Sequence, residues 1–357
     1  MNKTQVAIAM SGGVDSTACA LLLKDQYQIS GFLMDIGQPG FSEQSNKVLE
    51  ISDALGIDLT IIDLKKEFDA LVLDYFLTSY AAGKTPNPCI RCNQVIKLGL
   101  FMDRVLSRGF DFMATGHYAR CESANGVMSL FKGIDPQKDQ SYFLARLTQK
   151  QLSRVLFPLG NQVKEDTYQF VEEQGLTGFR GQESQDICFL KDTKVRSFLA
   201  NRLAEAMQDG PIVTIDGTEI GTHNGLYNYT IGQRRGLGLP DHAPWYVCGL
   251  DPEHNRLIVG RDQDLFSNHL QAISANWLVH DLPEKDQRVL AKIRYTHQGS
   301  EALISSIDEE SFELVFTEPQ RAVTPGQFVV LYQDDKVIGS GEISLSKTMG
   351  NPQLAPV

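Results

Sequence analysis

At 357 residues and 42% hydrophobic, the chain is too long for one ordinary core and rich enough in apolar side chains to fill two or three, so it reads as a multidomain globular protein. Its net charge of −11 excludes indiscriminate binding to polyanions, which needs broad phosphate neutralisation, and leaves nucleic acid as a partner only through local basic patches. Six cysteines make no disulfide scaffold in so long a chain, the N-terminal apolar run is too short for a signal peptide, and no window approaches the roughly 20 apolar residues of a membrane span; the expectation is a cytoplasmic protein with no membrane partner.

In chain order, "VAIAM" (6–10), "ISGFLM" (29–34), "DLTIID" (58–63) and "FDFMAT" (110–115) read as buried strands, with amphipathic helical segments at 16–27, 43–55, 66–80 and 93–107. This alternation predicts an α/β N-terminal domain built on a doubly wound parallel sheet. After about residue 205 the texture changes to strand, turn, strand, as in "GPIVTIDGTEIG" and "VVLYQDDKVIGSGEI", so the C-terminal part is expected to be two small all-β domains. The expected division is 1–204, 205–275 and 276–357.

The first strand leaves into Ser11-Gly12-Gly13-Val14-Asp15-Ser16 and then a helix. Glycines without a Cβ let successive amides converge on an anion at the helix N-terminus, which makes a phosphate cradle, although the GxxxxGK[ST] spacing of the common P-loop is absent. Two glycines alone would read as a tight turn capped by Ser16; all six residues between strand and helix favour the cradle. A second stretch, "AGKTPNPCIRCNQVIKLG" (82–99), sets Pro86 and Pro88 just before a CxxC pair. The prolines fix φ and hold a loop rigidly before a helix that Cys92 opens, and a helix N-terminus lowers a thiol pKa and favours thiolate. Cys19, Cys121 and Cys248 read as packed small hydrophobes.

The SGGVDS segment resembles the signature of the PP-loop ATP pyrophosphatases, which cleave ATP between the α- and β-phosphates to adenylate a substrate oxygen. "GKTPNPCIRCN", "MATGHYAR", "KDQSYFL", "SQDICFL", "YTIGQRRGLGL" and "IRYTHQG" then follow in the order seen in the tRNA-specific 2-thiouridylases, and the chain resembles that family over nearly its whole length. The resemblance implies a PP-loop domain, a small central β domain and a C-terminal β-barrel. It also implies ATP and Mg2+ as cofactors, tRNA as substrate, and a sulfur donor that is either a persulfide carrier protein or free sulfide. The implied reaction makes 2-thiouridine at the wobble position.

By the same resemblance the ATP pocket is Ala9, Met10, Ser11, Gly12, Gly13, Val14, Asp15 and Ser16, with Met34 against adenine and Gly116 admitting the nucleotide. Ala9 stands where the family usually has glycine, and "FLMDIGQPGF" replaces a longer "MKNW"-type stretch. Asn87, Pro88 and Cys89 match the segment that meets the target base, while Cys92 and Cys188 match the two catalytic cysteines. The tRNA contacts implied are His117, Lys138, Asp139, Gln140, Arg294, Tyr295 and Gln327, and Arg234 and Arg235 add local positive charge.

Many family members have aspartate where Cys89 sits. The resulting set of Cys89, Cys92 and Cys188 is one short of a structural zinc site and suits a 4Fe-4S cluster with one open iron. A persulfide relay between Cys188 and Cys92, with Cys89 a bystander, stays equally open, and zinc ranks below both. The other function classes are a PP-loop ligase or amidotransferase, for which no N-terminal glutaminase is present, and a non-enzymatic Fe-S or tRNA-binding protein, against which the intact SGGVDS and both catalytic-type cysteines weigh.

Overall fold

The structure, a computed structural model, describes residues 3–181, 187–190, 195–203, 208–240 and 242–344, so the expected boundary at 204/205 and the first part of "SQDICFL" lie outside the described residues. The N-terminal sheet is wholly parallel, in the order β3-β2-β1-β4-β7, from β1 (Gln5–Ala9), β2 (Gln28–Asp35), β3 (Leu59–Asp63), β4 (Phe112–Ala114) and β7 (Val155–Leu156). Because side chains alternate across a strand, Val6 and Ile8 of β1 pack with Ala18, Val48 and Val171 on one side. Ala7 packs with Phe68, Ile90 and Ile96 on the other. The two layers are helix α1 (Val14–Leu23), α2 (Phe41–Leu55) and helix Lys164–Glu173 on the first face, and the helical runs 65–81 and 88–106 on the second. Helices thus cover both faces, as the near-continuous apolar strands require.

The two runs on the second face are not uninterrupted α-helices. Asp69–Leu73 and Asn93–Phe101 are π-helical, and the second contains Gly99 at φ −101, ψ −108. A Cβ there would meet the Gln94 carbonyl oxygen at 2.9 Å. The carbonyls that leave the ladder are not orphaned: the Gln151 side-chain amide donates to Gln94 O at 2.7 Å and Leu98 O at 2.8 Å. Amphipathic spacing predicted the helices, but the π segment Asn93–Phe101 is satisfied by Gln151, a residue from another element.

The C-terminal half is all β. Strands β8 (Asp209–Thr214), β9 (Glu219–Asn224), β10 (Tyr246–Asp251) and β11 (Arg256–Gly260) form a sheet in the order β10-β11-β8-β9. A closed antiparallel barrel follows from β12 (Phe266–Trp277), β13 (Arg288–Lys292), β14 (Ser300–Ile307), β15 (Ser311–Arg321), β16 (Phe328–Gln333) and β17 (Lys336–Ser344), with β12 pairing both β15 and β17. Strand periodicity gave no sign that the hairpin of β5 (Ala119–Ala124) and β6 (Val127–Lys132) joins this barrel: β6 pairs β17 through Lys336↔Phe131 and Val337↔Leu130. Phe328, Val330, Tyr332 and Val337 accordingly belong to the same buried cluster as Ile96 and Met113 of the N-terminal domain.

Candidate active site

The strand order reverses between β2 and β4 on either side of β1, and open parallel sheets bind ligands outside the carboxyl ends of the strands at such a switch point. Two loops meet there. The first is Met10–Gly13: Gly12 adopts φ 82, and Gly13 is the N-cap of α1 with no side-chain cap, so the first-turn amides, which have no intrahelical acceptors, stay available to an anion. Ser16 does not cap as a bare turn would require. Its hydroxyl donates back to the Gly13 carbonyl at 3.1 Å and accepts the Ser11 amide at 3.2 Å, which pins the loop from beneath. Met10, Gly12, Val14 and Ser16 are buried, while Ala9, Ser11, Gly13 and Asp15 of the expected pocket segment, together with Gly116, retain access. Met34 is half-buried at the end of β2, and Ala9 pairs with Phe32 of that strand.

The second loop, Thr115–Tyr118 after β4, crosses the first turn of α1. Gly116 is glycine for that reason: a Cβ would lie 2.7 Å from Asp15 Cβ and 3.1 Å from the Ser16 nitrogen. The expected role of admitting a nucleotide is thus preceded by a plain steric need. His117 follows, buried, its Nδ1 2.7 Å from the Thr115 hydroxyl and its ring edge-on to Phe157. Burial first, and then the charge of Lys97, hold the imidazole well below its ordinary pKa, so His117 is neutral.

Asn87 caps the short helix Pro88–Cys92, its Oδ1 accepting the Ile90 amide at 3.2 Å, with Pro88 in the first turn where its missing N–H costs nothing. Cys92 therefore ends this α-turn and leads into the π segment, whereas the sequence had it opening the helix. The expectation of a lowered thiol pKa fails on the same geometry. Burial pushes the Cys92 thiol up to about 12 and the Cys89 thiol up to about 11, while Lys97 pulls both back down. Cys188 is exposed; desolvation still raises its thiol, with Lys97 again opposing. The three thiols act electrostatically on one another, and Lys97 acts on all three and on His117. Lys97 was not singled out from sequence; its position five residues past Cys92 in a helix was the available signal.

What places Cys188 is its neighbour. Phe189 packs edge-on to Phe68 and Phe76, with ring centroids 5.7 and 5.4 Å away, and tilted against Phe198. The segment 187–190 is thereby anchored on the helical run that precedes the Cys89 loop. Cys19 is fully buried, its sulfur 3.4 Å from the Thr115 carbonyl, and Cys121 and Cys248 are half-buried in strands, all three raised by burial, as packed thiols should be.

Several expected tRNA contacts are spent inside the protein. Asp139 is buried and accepts the Gly133 and Ser141 amides at 3.1 and 3.0 Å, and Gln140 exchanges hydrogen bonds with the Tyr118 backbone. Gln327 donates to the Thr85 carbonyl at 2.8 Å, and Lys84 pairs with Glu342 at 2.8 Å, so the barrel grips the loop before Asn87. Arg294 donates to the Arg321 carbonyl, and Tyr295 lies against Phe143 with ring centroids 4.4 Å apart. Lys138 is half-buried, while Arg234 and Arg235 are exposed on the glycine-rich loop of the central sheet.

A parallel α/β domain with a glycine turn onto a helix N-terminus at its switch point, followed by two β domains, defines an architecture that the family models match in three successive pieces: a "tRNA methyl transferase HUP domain" over residues 4–192, a "tRNA methyl transferase PRC-barrel domain" over 196–261, and an "aminomethyltransferase beta-barrel domain" over 267–343. The chain is 46% identical to the tRNA-specific 2-thiouridylase MnmA of Desulfotalea psychrophila, over 96% of this chain and all of that one. It is 41% identical to the MnmA of Magnetococcus marinus, over 95% and 98% of the two chains, and 40% identical to that of Carboxydothermus hydrogenoformans, over 96% and 98%. The chain belongs to the tRNA-specific 2-thiouridylase family. Among the described residues no helix is long and apolar enough to cross a membrane.

The raised thiols carry a pH prediction. An ordinary thiol titrates near 8.5, so the stability contributed by neutral Cys92 and Cys89 is complete below that pH and is lost as pH rises toward 11 and 12. Thermal melting should fall steadily above about pH 9, and Cys92→Ala should flatten the fall, leaving what the buried tyrosines contribute at higher pH. An equal slope in parent and variant would contradict the assignment.

Proposed function

We propose that the chain is an ATP-dependent tRNA uridine 2-sulfurtransferase that adenylates the uridine C2 oxygen and replaces it with sulfur carried on Cys188. The observation that carries this reading is the Thr115–Tyr118 loop. At Gly116 it packs on the first turn of α1, and His117 lies within reach of the charge of Lys97, which acts on all three thiols, and this supports an adenylating site and a sulfur site served by one short segment. The family models bear methyl transferase names, whereas the relatives are named thiouridylases; three thiols that act electrostatically on one another favour sulfur chemistry.

In this reading ATP enters with magnesium on its phosphates. The C2 oxygen attacks the α-phosphorus and pyrophosphate leaves. The terminal sulfur of a Cys188 persulfide attacks C2 and AMP leaves, and the Cys92 thiol then attacks the Cys188 sulfur, giving up its proton to solvent as it does so, which releases 2-thiouridine and leaves a Cys92–Cys188 disulfide. An external dithiol reductant restores the two thiols, and a persulfide donor reloads Cys188. Asn87, Pro88 and Cys89 line the target-base loop, and the exposed arginines of the central domain take tRNA phosphates. The sulfurs of Cys89, Cys92 and Cys188 are the right donors for a 4Fe-4S cluster, but among the described residues no three Cys, His, Asp or Glu side chains are grouped to hold an ion, so no step runs through a cluster.

The test is product analysis with cognate tRNA, MgATP and a persulfide donor. AMP and pyrophosphate should appear in step with 2-thiouridine, and tRNA binding should weaken steeply with salt. Orthophosphate without AMP would remove the adenylation step, and salt-insensitive binding would point to a small-molecule substrate.

A further inference from the structure

The cradle is completed by a residue outside its motif. Lys164, the first residue of helix Lys164–Glu173, places its ammonium 2.7 and 2.9 Å from the two carboxylate oxygens of Asp15. The lysine side chain is only 11% exposed, whereas that of Asp15 is 34% exposed at the mouth of the cradle. The position is built from several sides. The Lys164 amide donates to buried Asp135 at 3.0 Å, and its ammonium lies 5.6 Å from the Tyr118 ring centroid and 5.0 Å from that of Tyr168. The Tyr118 hydroxyl donates to Asp15 Oδ1 at 2.9 Å, in a pocket where Gly116 leaves no room for a methyl group.

A carboxylate beside a row of amides that await a polyanion is a contradiction unless its charge is cancelled, because like charges a few ångströms apart in a partly desolvated site repel strongly. We propose that Lys164 is a positioning residue of the nucleotide site: by pairing with Asp15 it cancels and aims that carboxylate, so that the cradle presents N–H groups, not a bare negative charge, to the triphosphate. Tyr118 fixes the same carboxylate from the other side. The inference rests on the reading of the cradle as an ATP site.

The experiment is calorimetric titration of the full chain with MgATP, without tRNA and at low salt, with adenosine as the uncharged control. Lys164→Met should weaken MgATP binding by about tenfold or more, an electrostatic loss that added salt shrinks. Lys164→Arg should bind within about threefold of the parent, because the ion pair survives. The deciding variant is the double change Lys164→Met with Asp15→Asn, which removes both charges and should bind MgATP at least about threefold more tightly than Lys164→Met alone. Adenosine should bind all variants alike. A double variant as weak as Lys164→Met, or a Lys164→Met protein that binds like the parent, overturns the proposal while leaving the ATP reading standing. A parent that binds no MgATP overturns both.

Discussion

Cys92→Ser and Cys188→Ser should each reduce tRNA thiolation to background, a loss on the order of a thousandfold or more, while Cys89→Asp retains activity within about tenfold. The asymmetry follows from the relay. Cys188 is exposed, where a donor can load it, and is held by Phe189 in its aromatic pocket; Cys92 is the half-buried thiol that must attack it. Serine in either place removes the sulfur that forms or breaks a bond, whereas Cys89 forms no bond in the scheme and sits in the first turn of a capped helix, where a carboxylate is well tolerated. The measurement is 2-thiouridine by mass spectrometry of digested tRNA, with iron counted on the same anaerobic preparation. A brown protein with about four iron and four sulfide per chain that loses both iron and activity on Cys89→Asp would replace the relay with a cluster.

Gly116→Ala should abolish nucleotide binding and lower stability by about 1–3 kcal/mol, although it adds a single methyl group. The new Cβ would lie 2.7 Å from Asp15 Cβ, 3.0 Å from the Asp15 carbonyl carbon and 3.1 Å from the Ser16 nitrogen. Two of those atoms are backbone of the first turn of α1, so the strain can be relieved only by moving the amides that form the cradle or by pushing the Thr115–Tyr118 loop away from it. Either movement also disturbs the Tyr118 hydrogen bond to Asp15 and the seat of His117. Gly12→Ala acts differently: at φ 82 the alanine pays about 1–2 kcal/mol for left-handed backbone, and its Cβ meets Val48 Cγ2 at 3.3 Å, a contact that can give. MgATP titration and thermal melting of both variants check the ranking; parent-like ATP affinity in Gly116→Ala would show that the loop is not braced on the helix.

The sequence by itself determined what depends on neighbours along the chain. Apolar runs alternating with amphipathic segments specify a parallel sheet covered on both faces, and the observed strands Gln5–Ala9, Gln28–Asp35 and Leu59–Asp63 fall where those runs are. Ser11 to Ser16 announced a glycine turn onto a helix N-terminus because glycine conformation and helix-terminal amides are local physics, and Pro86 and Pro88 announced a stiff loop for the same reason. Only the tertiary structure decided what depends on residues brought together from afar. The β5–β6 hairpin joins a barrel whose strands lie far down the chain, since register is set by edge pairing that no local pattern encodes. Asp139, Gln140 and Gln327 make internal hydrogen bonds that no local pattern announced, because their partners, at Gly133, Tyr118 and Thr85, are near them only once folded. The thiols offer the sharpest contrast. Local reasoning gave Cys92 a lowered pKa from a helix terminus. Burial among side chains from several elements raises it instead, with Lys97 opposing, because desolvation is a property of everything packed around a sulfur and not of the turn that carries it.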